Sequence, residues 1–353
     1  MTMLGLLTIR DQSINQCAPS QENQERTRNI LTNRVFIMQY PANEPCEDRF
    51  NCYQLKNIEG YYSAVFDGHG GWQLSEYAMR QLHIYIDQEL KGAKNDSDVK
   101  NAIKKAFDKI ENDWIAVAKQ TFDKGFPQSA YVGSCALVTI VYNNKLYVAN
   151  AGDSKGVMLR QKEDGSYEAV NLSKTFNANK SYEQERLKEQ FKNEKDIVRC
   201  KQVEKKACYV KGGLMPTRSF GDLRLKMSEF NFHNYSPDLG YRIPIPQFTG
   251  PYVTHEPDIQ VYDLTEKDQF IILASDGLWD EISRKRAAVL AKDHDKEMKE
   301  LTMELLNAAL ENVSKERSVS REFIAQTPPG KLKRNILDDM TIVVVSLKNQ
   351  FKQ

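Results

Sequence analysis

Two apolar runs, CALVTIVY at 135–142 and KLYVAN at 145–150, are separated only by Asn143 and Asn144. A two-residue connection closes an antiparallel hairpin and is far too short for the crossover that a parallel pair needs. The pattern recurs at once. VMLRQ at 157–161 and YEAVNL at 167–172 flank a turn containing Asp164-Gly165, so residues 135–172 read as an antiparallel meander. Further runs rich in β-branched and aromatic residues are VFIMQY (35–40), YYSAVF (61–66), QFIILA (269–274) and TIVVVSL (341–347). Helical spacing falls elsewhere: Leu74, Ala78, Leu82 and Ile86; Val99, Ile103, Phe107 and Ile110; a charged stretch near 181–192; and Met298, Leu301, Leu305 and Ala309. Strands grouped apart from helices predict an α+β fold. Six or more strands must bury their inner faces, which predicts two packed antiparallel sheets with flanking helices.

Residues 1–33, polar and without a sustained period, read as an extension, and 34–350 as one domain with loop-rich insertions near 193–212 and 227–250. Lysine and arginine total 49 against 48 acids, with no basic stretch interleaved with aromatics, which excludes a nucleic-acid footprint. The longest basic cluster, Lys331, Lys333 and Arg334, follows a Pro-Pro-Gly turn and reads as a solvated loop. The six cysteines, at 17, 46, 52, 135, 200 and 208, lack zinc-site spacing and the density of a secreted scaffold, so reduced thiols are expected. No apolar run approaches the roughly 18 residues of a membrane span. The first 30 residues mix arginines with Asp11, Glu22 and Glu25, a poor match to an acid-free transit peptide, and a cytoplasmic address is expected.

Four acidic segments share one design, in which a strand-like run ends or starts at a carboxylate flanked by small residues. They are Cys46-Glu47-Asp48, VFDGHGG at 65–71, LASDGLWD at 273–280 and DDMTIVVV at 338–345. Aspartate followed by glycine at a strand end lets the backbone carbonyl join the carboxylate as an oxygen donor, the kind of cage that Mg²⁺ or Mn²⁺ takes. Asp67, Asp276 and Asp338 each abut a strongly apolar run, where a carboxylate needs a cation or hydrogen bonds to offset its burial. His69 is the histidine beside a predicted ligand. His83, His233, His255 and His294 have no such neighbour and read as structural or exposed.

These segments, with GSCALV at 133–138, VANAGDSKG at 148–156 and LMPTRSFGD at 214–222, resemble in residues and order the metal-dependent protein phosphatases of the type 2C class, from about 35 to 349. PANEPCEDR (41–49), ERLK (185–188), VKGGLMPTRSFGDLRLK (210–226) and PYVTHEPDI (251–259) look most like the pyruvate dehydrogenase phosphatase branch, whose members include mitochondrial enzymes; the mitochondrial matrix is therefore the alternative address. The resemblance implies a four-layer α-β-β-α sandwich and hydrolysis of phosphoserine or phosphothreonine in a protein by a water activated between two Mg²⁺ or Mn²⁺ ions. Position by position it implies that Asp67 bridges both ions, the Gly68 carbonyl completes one site, Asp276 and Asp338 ligate the other, and Glu47 and Asp48 act through waters. His69 is then the general acid, worth about 10²- to 10⁴-fold. Asp153 and Asp222, in Gly-Asp pairs outside this set, are assigned to fixing loops, with Arg218 placed to pair with one of them.

Three departures qualify the resemblance. Asn43 stands where many members have a phosphate-binding arginine, which leaves Asn43 as a weaker substrate-binding candidate. Thr175-Phe176 replaces an Asp-His pair whose aspartate helps hold a third metal with Asp280. Lys155 replaces an arginine after Gly-Asp-Ser. The alternative function is accordingly a weakened or inactive phosphatase fold that binds phosphoproteins or serves a larger protein assembly.

Overall fold

The computed structural model describes residues 34–202, 206–231, 244–292 and 297–348. Strands β1 (Val35–Tyr40), β2 (Arg49–Gln54) and β3 (Gly60–His69) lead into two long helices, α1 (Gln73–Glu89) and α2 (Asp96–Asp123). Next come β4 (Gly133–Tyr142), β5 (Lys145–Ala151), β6 (Lys155–Gln161), β7 (Tyr167–Asn171), α3 (Ser181–Gln190), β8 (Val198–Gln202), β9 (Lys206–Val210) and the short β10 (Phe220–Gly221). The chain continues through β11 (Asp258–Asp263), β12 (Asp268–Ala274), α4 (Asp276–Trp279), α5 (Arg284–Lys292), α6 (Met298–Arg317), α7 (Arg321–Gln326), α8 (Lys331–Arg334) and β13 (Met340–Ser346).

One antiparallel sheet has the order β1-β13-β12-β6-β7, and the other β11-β5-β4-β3-β2 with β10 beside the start of β4. Period-two alternation assigns each strand's faces. In β3 and β4, Phe66, Ala136 and Val138 turn outward onto Leu74, Leu82 and Ile86 of α1 and Ile103 and Phe107 of α2. Their neighbours Val65 and Leu137 turn inward and meet Met158, Ile271, Leu273 and Val343 of the other sheet. On that sheet's outer face, Ile272 and Val344 pack against Leu301, Leu305 and Ala309 of α6. The result is the expected four-layer sandwich.

The expected meander holds only in halves. β4 pairs with β5 and β6 with β7, but β5 and β6 lie in different sheets. The chain crosses between layers at Gly152-Asp153-Ser154, because the apolar alternation on either side of that turn suits two cores rather than one. Asn143 and Asn144 do adopt the left-handed turn, with φ of 49° and 56°.

The first insertion contains the β8–β9 hairpin, which packs with α3 through Leu187, Ile197, Cys208 and Val210 onto Leu225, Tyr252 and Val253. Cys200 and Cys208 are directly opposed across that hairpin and form a disulfide. Cross-strand register, invisible in cysteine spacing, thus overturns the expectation of reduced thiols for this pair; Cys46, Cys52 and Cys135 are free, and Cys17 lies outside the described residues. The extension 1–33 and residues 232–243 of the second insertion also lie outside them. Among the described residues, no helix is long and apolar enough to cross a membrane.

Leu137 is fully buried between the sheets, whereas Val117 is exposed on α2. Urea unfolding should show Leu137→Ala losing about 2–5 kcal/mol, and Val117→Ala staying within about 0.5 kcal/mol of the parent.

Candidate metal centre

Alternation along β3 decides where its acid goes. Tyr61 and Val65 face the opposing sheet, so Asp67, two residues further on, projects into the same inter-sheet layer at its open rim. Asp276 opens α4 immediately beyond β12, and Asp153 lies in the β5–β6 crossing. One carboxylate oxygen from each of Asp67, Asp153 and Asp276 falls within 4.8 Å of the others. Withdrawal from water, then repulsion from Asp276, Asp48 and Asp153, holds the Asp67 carboxyl well above the ordinary range; burial and Asp153 do the same to Asp276.

Asp48 is buried beside them and accepts from Ser275 Oγ at 2.7 Å. Burial and the adjacent Asp339 push its carboxyl up as well. Gly68 lets the loop before β2 approach the end of β3: a Cβ there would lie 2.4 Å from the Glu47 carbonyl oxygen. Burial also raises Glu47, opposed by the Gly71 amide and His69. Asp338, just before β13, accepts from the Asp339 amide at 2.8 Å and pairs with Arg334 at 2.8 Å. Asp280 follows α4 on the Asp276 side, and Lys155 lies in the field of both.

His69 Nε2 donates to Asp222 Oδ2 at 2.8 Å, and Asp222 also accepts from Ser219 Oγ at 2.5 Å. Gly133 makes room for this pair, since a Cβ there would meet His69 Nε2 at 2.2 Å and Asp222 Oδ2 at 2.3 Å. Burial lowers the His69 pKa, but Asp222 outweighs it, and the imidazole stays protonated to higher pH than a free histidine.

Several expectations are altered. Asp153 joins the acidic cluster instead of merely fixing a turn, held by Cys135 Sγ at 3.2 Å and Asn177 Nδ2 at 3.2 Å. Its Gly-Asp-Ser motif read as a turn because the change of sheet was not visible. Arg218 pairs with neither Asp153 nor Asp222; it stacks over Phe176 at 4.1 Å and donates to the Glu256 carbonyl at 2.7 Å. Asn43, the substrate-binding candidate, donates both its backbone and side-chain amides to Asp339, at 2.9 and 3.0 Å. Asp339 takes two more amides, from Ala42 at 2.6 Å and Glu47 at 2.8 Å, so it pins the 42–47 loop. His83 is buried against Asn51 and His255 bonds Asp108, while His233 and His294 lie outside the described residues.

Comparison with known proteins agrees with this geometry. A family model described as protein phosphatase 2C matches residues 38–318. The chain is 33% identical over 290 residues to "Probable protein phosphatase 2C 67" of Arabidopsis thaliana, covering 82% of this chain and 75% of that protein. It is 33% identical over 293 residues to "Probable protein phosphatase 2C 72" of Oryza sativa subsp. japonica, covering 82% and 71%. The chain belongs to the protein phosphatase 2C family. The fold agrees: a serine-threonine phosphatase 2C from Toxoplasma gondii superposes with TM-score 0.59 at 16% identity over 88% of this chain and 94% of that one. A C. elegans sex determining protein gives 0.59 at 17% identity, where the match covers 89% of this chain and 64% of that chain.

Members of this family are metal-dependent serine/threonine phosphatases, and so is this chain. Its residues fit such an ion: Asp67, Asp153 and Asp276 each offer a carboxylate oxygen, and the charges that bear most on Asp67 and Asp276 are themselves carboxylates. A divalent cation relieves that repulsion and satisfies hard-donor chemistry together. Mn²⁺ should therefore raise the thermal midpoint, with a stabilisation of about 2.7 kcal/mol at a hundred times its dissociation constant. Asp276→Asn should shrink that response, and an unmoved midpoint in the parent protein would refute the centre.

Proposed function

We propose that this phosphatase uses Asp67, the Gly68 carbonyl, Asp276 and Asp338 to hold two divalent cations, with Glu47 and Asp48 acting through waters and Asp153 as an added carboxylate. The observation that carries this reading is the convergence of Asp67, Asp153 and Asp276 within 4.8 Å at the rim between the sheets. Mg²⁺ and Mn²⁺ are the ions of choice because no histidine or thiolate enters the donor set: burial pushes the Cys135 thiol well above its ordinary pKa, so it stays protonated beside Asp153. Such ions, when bound, make a water nucleophilic at neutral pH and neutralise charge on a phosphoryl group.

The remaining work falls to the chain's own groups. His69, adjacent to Gly68 and anchored on Asp222, is the proton donor to the departing serine or threonine oxygen. Asp222 keeps that ring oriented and charged, as a carboxylate does for a histidine acid. Asp339, by taking four donors from residues 42–47, fixes the loop that carries Glu47 and Asp48. The substrate is a phosphoprotein. Residues 34–350 make up the catalytic unit in this reading, in a cytoplasmic setting. The likeness to the pyruvate dehydrogenase phosphatase branch concerns descent and assigns no substrate.

Thr175 motivates a second reading, a weakened catalyst acting partly as a phosphoprotein-binding subunit of an assembly. Its carbonyl accepts the Tyr182 hydroxyl, and threonine brings no carboxylate to a third site with Asp280. Phe176 is buried under the Arg218 guanidinium, so the informative variant changes Thr175 alone.

On phosphoserine and phosphothreonine peptides with Mn²⁺, Asp67→Asn should lower kcat at least about 100-fold. Equal release by parent and variant would sink the reading. Thr175→Asp should raise turnover several-fold if the enzyme is merely weakened; no activity in either form supports the binding subunit. Asp222→Asn should cut kcat about 10-fold or more while leaving the Mn²⁺ requirement unchanged, as expected for a group acting through His69.

A further inference from the structure

We propose that Arg334, on a helix docked against the loop that carries Asn43, supplies the phosphate-binding cation of this active site; the proposal rests on the phosphatase reading above. Arg334 ends α8, and its guanidinium lies 2.8 Å from Asp338 Oδ2 while its side chain remains 47% exposed. A guanidinium has five N–H donors in a rigid fork. One direction is spent on the ligand carboxylate, and the exposed part leaves others facing solvent at the rim. A phosphoryl group drawn to the acidic centre arrives where those donors are.

The position is set by the backbone. Gly330 N, just before α8, donates to the Ala42 carbonyl at 2.7 Å, so the helix is docked on the loop that carries residue 43. Inside that loop, Asn43 is neutral and both its amides are committed to Asp339. Among the described residues, Lys155 is mostly buried on the Asp276–Asp280 side, and three further cations around the site are engaged elsewhere. Arg49 is held by Glu76 at 2.5 Å and by the carbonyls of Cys46 and Asp48, both at 2.7 Å. Lys333 is buried with its ammonium 4.2 Å above the Tyr40 ring. Arg218 lies on Phe176 and Glu256. Arg334 is thus the arginine of this set that combines exposure with direct contact to a carboxylate of the metal centre. The basic run at 331–334, which reads as a solvated loop in the sequence, contains a charge aimed at the chemistry.

Two constants test this, both read in saturating Mn²⁺: the affinity for inorganic phosphate by calorimetry, and the KM for a phosphothreonine peptide. Arg334→Gln should weaken phosphate binding and raise KM by about ten-fold each, the scale of one lost charge-assisted hydrogen bond. Arg334→Lys should recover part of both, because it keeps the charge without the fork. Metal-free circular dichroism and the thermal midpoint establish that each variant is folded. An Arg334→Gln protein that needs more Mn²⁺ for half-activation but binds phosphate like the parent would overturn the proposal, leaving Arg334 as a holder of Asp338. Unchanged phosphate affinity and KM would overturn it as well. A parent protein without Mn²⁺-dependent hydrolysis would instead refute the phosphatase reading, and calorimetry would still report whether Arg334 holds phosphate.

Discussion

Mutual repulsion among crowded, largely desolvated carboxylates is the constraint around which this molecule is built. Asp67, Asp153 and Asp276 crowd within 4.8 Å, with Asp48 buried behind them, and in water such groups would separate. They stay together because each is attached to a strand end or a crossing that the apolar core has already placed. Phe66 and Val65 lock β3 between two cores, Leu273 and Ile272 do the same for β12, and Asp67 directly follows Phe66 while Asp276 comes just past the end of β12. Free energy from packing thereby holds a charge arrangement that only a cation completes, which is how a rigid sandwich preorganises a metal centre.

Much of this was legible in the chain because period-two alternation and short turns are local signals. The sheets, the flanking helices and the positions of Asp67, Asp276 and Asp338 next to apolar strands all follow from spacing. What escaped is non-local. The change of sheet between β5 and β6 occurs in three residues with ordinary turn chemistry, and it alone moves Asp153 from a turn into the centre. The partner of His69 lies 153 residues away in sequence, at a position that no pattern in VFDGHGG indicates. The Cys200–Cys208 pair depends on hairpin register, and Arg334 gains its meaning from a carboxylate one helical turn later.

The departures from the family pattern also look different once their surroundings are described. Asn43 is not a vacant substitute for arginine. Together with Ala42 and Glu47 it saturates Asp339, a buried acid that sequence reasoning passed over because its neighbour Asp338 matched the ligand position. An arginine at 43 would bring its charge to the same Asp339 and compete with that set of donors. Phe176 likewise has its own partner, since the Arg218 guanidinium covers its ring.

Asp339 and Asp222 illustrate one principle applied to opposite ends of the site. Each is a buried carboxylate whose charge is balanced by donors rather than by metal, and each orients a functional element: Asp339 the loop of Glu47 and Asp48, Asp222 the ring of His69. A carboxylate that accepts several short hydrogen bonds is costly to move, because any displacement leaves a buried charge unpaired. The acids of this fold therefore divide by partner. Asp67 and Asp276, whose strongest charged neighbours are other carboxylates, are left to take a cation, whereas Asp339 and Asp222, held by amides or by histidine, are fixed supports. That division follows from hydrogen-bond accounting and not from the Asp-Gly or Asp-Asp motifs, in which ligand and support look alike.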